Sequence, residues 1–227
     1  MTIEGTIIVT GGASGLGAAV ADAIQKTGAA AVVFDRMEPP SGADHEIVDL
    51  SDTERTEEAV RRVAERGDLS AVVTCAGTDS CGPLADVPRD DWERVVRVNL
   101  LGTAAVVRAA LPALERSRGR IVTVASTLGL RALPDATAYS ASKFGVIGFT
   151  RALAAEMGGR VGVTCLIPGG MATAFFDERP EKYRPAPDQN LASPSDVADA
   201  VVFALQQPRG LDVRELLIMP ADEPSWP

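Results

Sequence analysis

Short runs of apolar, often β-branched residues recur along the chain, and each is followed by a longer stretch whose apolar positions return with helical spacing. The runs at 6–10, 31–34, 46–48, 71–75, 120–125, 161–166 and 215–219 predict strands. The stretches at 15–27, 53–66, 89–117, 139–157 and 195–206 predict helices, the third with a break expected near Val98. Several strand runs are continuously apolar, the pattern of strands covered on both faces. Strand and helix in alternation imply βαβ units, so the expected fold is α/β: a Rossmann-like, doubly wound parallel sheet of about seven strands with helices on both faces.

No repeat or low-complexity linker divides the sequence, which predicts a single domain over 1–227. Two places are irregular. The segment DRMEPPSGADHE carries Pro39, Pro40 and Gly42 and leaves no room for a crossover helix between the second and third strands. The segment 176–193 holds Pro180, Pro185 and Pro187 among charged residues and reads as a long loop. Beyond it, SPSD at 193–196 offers a serine cap and an acidic first turn for the last helix.

Composition narrows the chemistry. With 46% apolar and 23% charged residues, the 227-residue chain suits a folded globular domain and excludes a disordered tail, a collagen or a coiled coil. A net charge of -9 is the wrong sign for tracking nucleic acid or an anionic membrane. No unbroken apolar run reaches the roughly 18 residues that span a bilayer, and MTIEGTIIVT lacks a basic flank and cleavage site, so a cytoplasmic location is expected. Cys75, Cys81 and Cys165 have no CxxC spacing and read as reduced thiols. His45 is the sole histidine, which removes HExxH proteases and multi-histidine metal sites, and no metal is expected. A GxSxG elbow is also absent. Acid–base chemistry must therefore use another group.

The first strand runs into Thr10-Gly11-Gly12-Ala13-Ser14-Gly15-Leu16-Gly17, a glycine-rich strand-to-helix turn. Such a turn lets backbone amides and a positive helix end meet a pyrophosphate, although a glycine cluster alone is equally a tight turn. Its place in the first βα turn favours the nucleotide reading. The spacing is TGxxxGxG, and no Gly-Lys pair occurs, which excludes an ATPase P-loop. Asp35 ends the second strand, 18 residues past Gly17, where a carboxylate accepts ribose hydroxyls and repels a 2'-phosphate. NAD is therefore the expected cofactor. Arg36 beside it could instead pair with that phosphate, which leaves NADP open. Asp49 and Leu50 could face an adenine, or simply end the third strand and start a helix.

Tyr139 and Lys143 open a predicted helix at i, i+4 spacing, which sets both on one face. An ammonium and a nicotinium charge together favour phenolate and move a phenol toward the range useful for proton transfer. The pair could arise by chance in a helix. The chain, however, has only two tyrosines; Ser126 lies 13 residues upstream at a strand end and Asn99 sits in VNLLG.

TGGASGLG, VNLLG, IVTVAS, YSASK and IPGGMAT stand in the order seen in short-chain dehydrogenase/reductases, and over residues 6–219 the chain resembles that family's single-domain type. YxxxK with TGxxxGxG favours carbonyl or alcohol chemistry over the extended epimerases. The resemblance implies Tyr139 as general acid or base, Ser126 as hydrogen-bond partner of the substrate oxygen, and Lys143 as the group that lowers the tyrosine pKa and binds the nicotinamide ribose. It implies that Asn99 positions a proton-relaying water. Cofactor contacts would come from Gly11, Ser14, Gly15, Leu16, Gly17, Asp35, Asp49, Leu50, Ala76, Gly77, Tyr139, Lys143, Pro168, Gly169 and Thr173. The expected activity interconverts a ketone and a secondary alcohol on a small-molecule substrate, in a homodimer or homotetramer. A non-catalytic, cofactor-binding regulator or assembly subunit is the alternative, and a carrier-bound acyl or polyketide substrate also fits.

Two departures matter. The family's Asn-Asn-Ala-Gly is Thr74-Cys75-Ala76-Gly77 here, which removes two amides expected to brace the sheet. The Asp-Gly-Gly near the C-terminus is replaced by VRELLIMPADEPSWP. Residues 78–82, 127–132 and 170–190 would line the substrate pocket, within a substrate loop at about 170–193. Arg131, Arg179, Lys182 and Arg184 are expected to be solvated loop charges, while Phe175, Phe176 and Tyr183 could form an apolar lid.

Overall fold

The computed structural model describes residues 3–67 and 69–226. Every expected strand is found: β1 (Thr6–Thr10), β2 (Ala30–Asp35), β3 (Asp44–Ile47), β4 (Leu69–Thr74), β5 (Arg120–Val124), β6 (Gly162–Pro168) and β7 (Glu215–Ile218). They form one parallel sheet in the order β3-β2-β1-β4-β5-β6-β7. The order reverses between β1 and β4, which puts a crevice outside their carboxyl ends.

The helices are α1 (Gly15–Lys26), α2 (Thr53–Ala64), α3 (Arg89–Val96), α4 (Thr103–Ser117), α5 (Thr137–Met157) and α6 (Pro194–Leu205). The break expected near Val98 is a π-helical turn, Arg97–Gly102, that joins α3 to α4 without interrupting the rod. The link between β2 and β3 carries no helix, as Pro39, Pro40 and Gly42 require.

Side chains alternate across the sheet because successive strand residues point to opposite faces. Ile7 and Val9 of β1 pack with Val20 and Ile24 of α1 and Val201 of α6. Ile8 points the other way, toward Val60 of α2, Leu114 of α4 and Met157 of α5. Full burial of each such side chain contributes about 1.5–3 kcal/mol. The continuous helix Arg89–Ser117 has a stretch of mean hydropathy 1.4, long and apolar enough by composition to cross a bilayer. The search for unbroken apolar runs misses this because charged residues punctuate the helix. Its Val95, Val106, Val107 and Leu114 are buried within the fold.

Two glycines bring α5 close enough to deliver its chemistry to the strand ends. A Cβ at Gly129 would lie 2.8 Å from the Lys143 carbonyl oxygen, and one at Gly145 would lie 2.7 Å from Leu100. The indole of Trp92 on α3 donates a hydrogen bond to the Thr137 hydroxyl (3.1 Å) and fixes where α5 begins. Backbone cannot yield as a flexible side chain can. Gly129→Ala should therefore lose about 1–3 kcal/mol by overpacking in urea denaturation. Gly148→Ala, on the open face of α5 with nothing within 4 Å of the added Cβ, is the control. It should be neutral or gain up to about 1 kcal/mol from helix propensity.

Candidate active site

The glycine turn after β1 has no room for side chains. A Cβ at Gly11 would meet the Ala76 backbone at 2.8 Å, one at Gly12 would meet Val33 at 2.8 Å, and one at Gly17 would collide with the Gly11 carbonyl. Gly11 and Gly15 also take positive φ, 69° and 53°. Ser14 caps α1 in an extended conformation without a side-chain capping bond, and the first turn holds no acidic residue, so the leading amides carry no competing anion. Leu16 is buried in the layer beneath. This is a cradle shaped for close approach of an anionic group to backbone.

Asp35 ends β2 beside that cradle. Its carboxylate accepts hydrogen bonds from the amides of Ala13 (3.0 Å) and Met37 (3.2 Å). Asp49 accepts from the Ser51 amide (2.9 Å) in the turn before α2. The side chain of Leu50 belongs to the core, against the position a Cβ on Gly102 would take. On the far side, Thr173 packs over Gly15, with its Cβ and Cγ2 each 3.5 Å from where a Gly15 Cβ would stand. Pro168 closes β6, and the Gly169 amide donates to the Ile218 carbonyl (2.9 Å).

The segment after β4, where Thr74 and Cys75 carry no side-chain amide, is held through its backbone. The Ala76 amide donates to the Thr10 hydroxyl (3.0 Å). The Asn99 side chain grips Thr78 at both ends, accepting from its amide (2.8 Å) and donating to its carbonyl (2.9 Å). Its amide nitrogen also donates to the Ser142 hydroxyl (3.0 Å), which in turn donates to the Tyr139 carbonyl (2.7 Å). Asn99, on the π-helical turn, thus ties the β4 loop to α5. Cys75 packs among core residues, and burial pushes its thiol up to about 12, the behaviour of an inert side chain.

Lys143 is buried, and its Nζ donates to the Val124 carbonyl at the end of β5 (2.9 Å). The same Nζ is 5.6 Å from the centre of the Tyr139 ring and 3.7 Å from where a Cβ on Gly77 would stand. Burial lowers its pKa to about 8. Ser126 follows β5, accepts from the Leu128 amide (3.2 Å) and makes a hydrogen bond with the Tyr139 hydroxyl. The sequence motifs therefore meet in one place.

In the protein's own surroundings, without a nicotinium charge, burial, reinforced by the negative charge of Asp79, pushes the Tyr139 phenol up to about 12. The Ser126 hydrogen bond and the Arg179 charge oppose this without reversing it. Dry surroundings penalise the phenolate more than those two groups favour it.

Arg179 overturns an expectation. It is not a solvated loop charge: its side chain is 17% exposed and forms a 2.5 Å ion pair with Asp79, itself 4% exposed. Its guanidinium lies 5.1 Å from the Phe175 ring centre and 4.7 Å from that of Phe176, and Phe175 packs on Tyr139 with centroids 5.7 Å apart. The Tyr183 hydroxyl donates to Asp135 (2.7 Å), a residue held at φ 60°. The segment carrying Phe175, Arg179 and Tyr183 is thus held over the tyrosine by an ion pair and a hydrogen bond, while Arg131, Lys182 and Arg184 are exposed. Sequence reasoning missed Asp79 because its partner lies 100 residues away and no pattern links the two.

The family model described as short chain dehydrogenase matches residues 5–184. Glycine betaine reductase ATRR of Emericella nidulans is 33% identical over 96% of this chain, which spans 19% of that protein's length. An uncharacterized oxidoreductase of Staphylococcus aureus is 31% identical, with 94% of this chain and 96% of the relative covered. Among solved structures, an alcohol dehydrogenase from Thermococcus sibiricus complexed with 5-hydroxy-NADP superposes with TM-score 0.84 at 26% identity, covering 95% of this chain and 96% of that one. An actinorhodin polyketide ketoreductase with NADPH gives TM-score 0.83 at 29% identity, covering 96% and 97%. The overall fold is shared with these solved structures, and the chain belongs to the short-chain dehydrogenase family.

Proposed function

We propose that this protein is an NAD(P)-dependent oxidoreductase that interconverts a carbonyl and a secondary alcohol, with Tyr139 as general acid and base. The observation that carries this reading is the meeting of Ser126, Tyr139 and Lys143 in the crevice whose other wall is the glycine cradle. A bound nicotinamide nucleotide supplies or accepts the hydride. Ser14, Gly15, Leu16 and Gly17 would hold its pyrophosphate and Asp35 its ribose, with Gly11, Asp49, Leu50, Ala76 and Gly77 along the adenosine side. Lys143 and Tyr139 would hold the nicotinamide ribose, and Pro168, Gly169 and Thr173 its carboxamide end.

In this reading Ser126 orients the substrate oxygen toward the Tyr139 hydroxyl, which gives up or takes the proton. Lys143 keeps a positive charge one helical turn away, fixed by Val124. Asn99 holds the wall that faces both, beside a relay water. The chain's own surroundings leave the phenol near 12, so a second positive charge beside it is required for the base form to be populated. The 33% identity to a glycine betaine reductase and the fold shared with an alcohol dehydrogenase and a ketoreductase support carbonyl or alcohol chemistry.

NAD is the preferred cofactor in this proposal. Asp35 is held by two amides at the edge of the cradle, where its charge opposes a 2'-phosphate. The alcohol dehydrogenase complexed with 5-hydroxy-NADP and the ketoreductase with NADPH set the competing expectation. Fluorescence titration decides: NADH should bind about tenfold or more tighter than NADPH, a gap of about 1.4 kcal/mol. Equal or reversed affinities would refute the preference.

Tyr139→Phe should retain NADH binding and lose about 10²–10⁴-fold in kcat. Near-normal turnover on an active substrate would remove Tyr139 from its role. Asp79→Asn tests the electrostatics. Removing the negative charge, and leaving Arg179 unpaired, lowers the phenol pKa, so the pH limb assigned to Tyr139 should move about 1 unit toward lower pH in either reaction direction. The check is kcat/KM measured across the pH range for both proteins.

A further inference from the structure

After β7 the chain turns back across the strand ends and buries two polar residues, Glu223 (7% exposed) and Ser225 (6%). One carboxylate oxygen of Glu223 accepts from the Gly170 amide (2.7 Å). The other accepts from the Ser225 amide (3.2 Å) and the Ser225 hydroxyl (2.7 Å). That hydroxyl is also 2.9 Å from the hydroxyl of Thr127, which is itself buried. A hydroxyl has one proton to give, and a carboxylate can only accept. The proton order is therefore set: Thr127 donates to Ser225, and Ser225 donates to Glu223.

The two ends of this chain of bonds are functional. Thr127 follows Ser126, and Gly170 belongs to the turn after β6 that faces the glycine cradle. The packing here is tight: a Cβ on Gly169 would lie 2.5 Å from a Glu223 carboxylate oxygen and 2.6 Å from the Met219 Cβ. Beside it, Asp222 accepts from the Asn190 amide group at the end of the substrate loop (3.2 Å). A buried carboxylate satisfied by aligned donors holds those donors firmly, because each lost bond takes a donor from a charged oxygen and loss of the Gly170 bond leaves its oxygen with none of these donors.

We infer that Glu223 is a positioning residue of the active site: through the Gly170 amide it fixes the 168–170 turn, and through Ser225 and Thr127 it fixes the Ser126 segment on the opposite side of the same crevice. This rests on the proposed function for its kinetic consequences and on the hydrogen bonds alone for its structural one.

The test uses the full chain with Glu223→Gln, Ser225→Ala and Ser225→Thr. An amide at 223 presents one acceptor oxygen and turns an N–H₂ group toward the donors on its other side. In hydrogen exchange without any nucleotide, Glu223→Gln should raise exchange about tenfold in peptides covering both 126–131 and 168–193, with α1 unchanged. Ser225→Ala should raise it in 126–131 alone, and Ser225→Thr should restore protection. In kinetics, Glu223→Gln should raise the KM for NADH and lower kcat, each about tenfold, whereas Ser225→Ala should lower kcat and leave that KM unchanged. The inference is overturned by unchanged exchange in these segments, by unchanged kinetics despite faster exchange, or by losses that only follow the folded fraction in a thermal melt. If the wild type bound neither NADH nor NADPH, the proposed function would fall, and the exchange comparison would still decide whether Glu223 holds the two segments.

Discussion

A single hydrogen bond, from the buried Lys143 ammonium to the Val124 carbonyl, fixes the geometry on which the site depends. It joins the second turn of α5 to the end of β5, so the helix that carries Tyr139 and the strand that leads to Ser126 cannot drift apart. Burying an ammonium costs several kcal/mol unless it is well paired. The fall of its pKa to about 8 is the sign of that cost. Gly129 and Gly145, where side chains would force α5 away, let the approach happen. An apolar residue at 143 would pack with less penalty, which is why the retained charge argues for chemistry and not for stability.

The same dryness acts on the phenol in the opposite sense. Burial and Asp79 hold Tyr139 protonated, near 12, until more positive charge arrives. The Asp79–Arg179 pair sets a charge of each sign near the hydroxyl, the carboxylate raising its pKa and the guanidinium lowering it.

Much of this is legible in sequence because it is local. Continuous apolar runs set the strands, glycine spacing sets the turn, and the i, i+4 interval sets Tyr139 beside Lys143. The order of these segments along the chain identifies the crevice they share. What the sequence hides is nonlocal. The Asp79–Arg179 pair joins residues 100 apart, and in a polar, proline-rich segment a solvated arginine is the natural reading. The contacts that hold the 76–78 segment are invisible for the same reason: Thr10 and Asn99 reach it from other elements. Sequence also shows which charges neighbour the tyrosine and not how much water has been removed around it.

In the proposed function, Tyr139 becomes a usable base once a cationic nicotinamide joins Lys143 beside it. With two tyrosines in the chain, Tyr183→Phe leaves Tyr139 as the sole phenol, so ultraviolet difference titration reads its ionisation directly. Without nucleotide the titration should centre at about 12, and with saturating oxidised cofactor it should centre well below the ordinary tyrosine value of 10. An identical midpoint in both conditions would contradict the account.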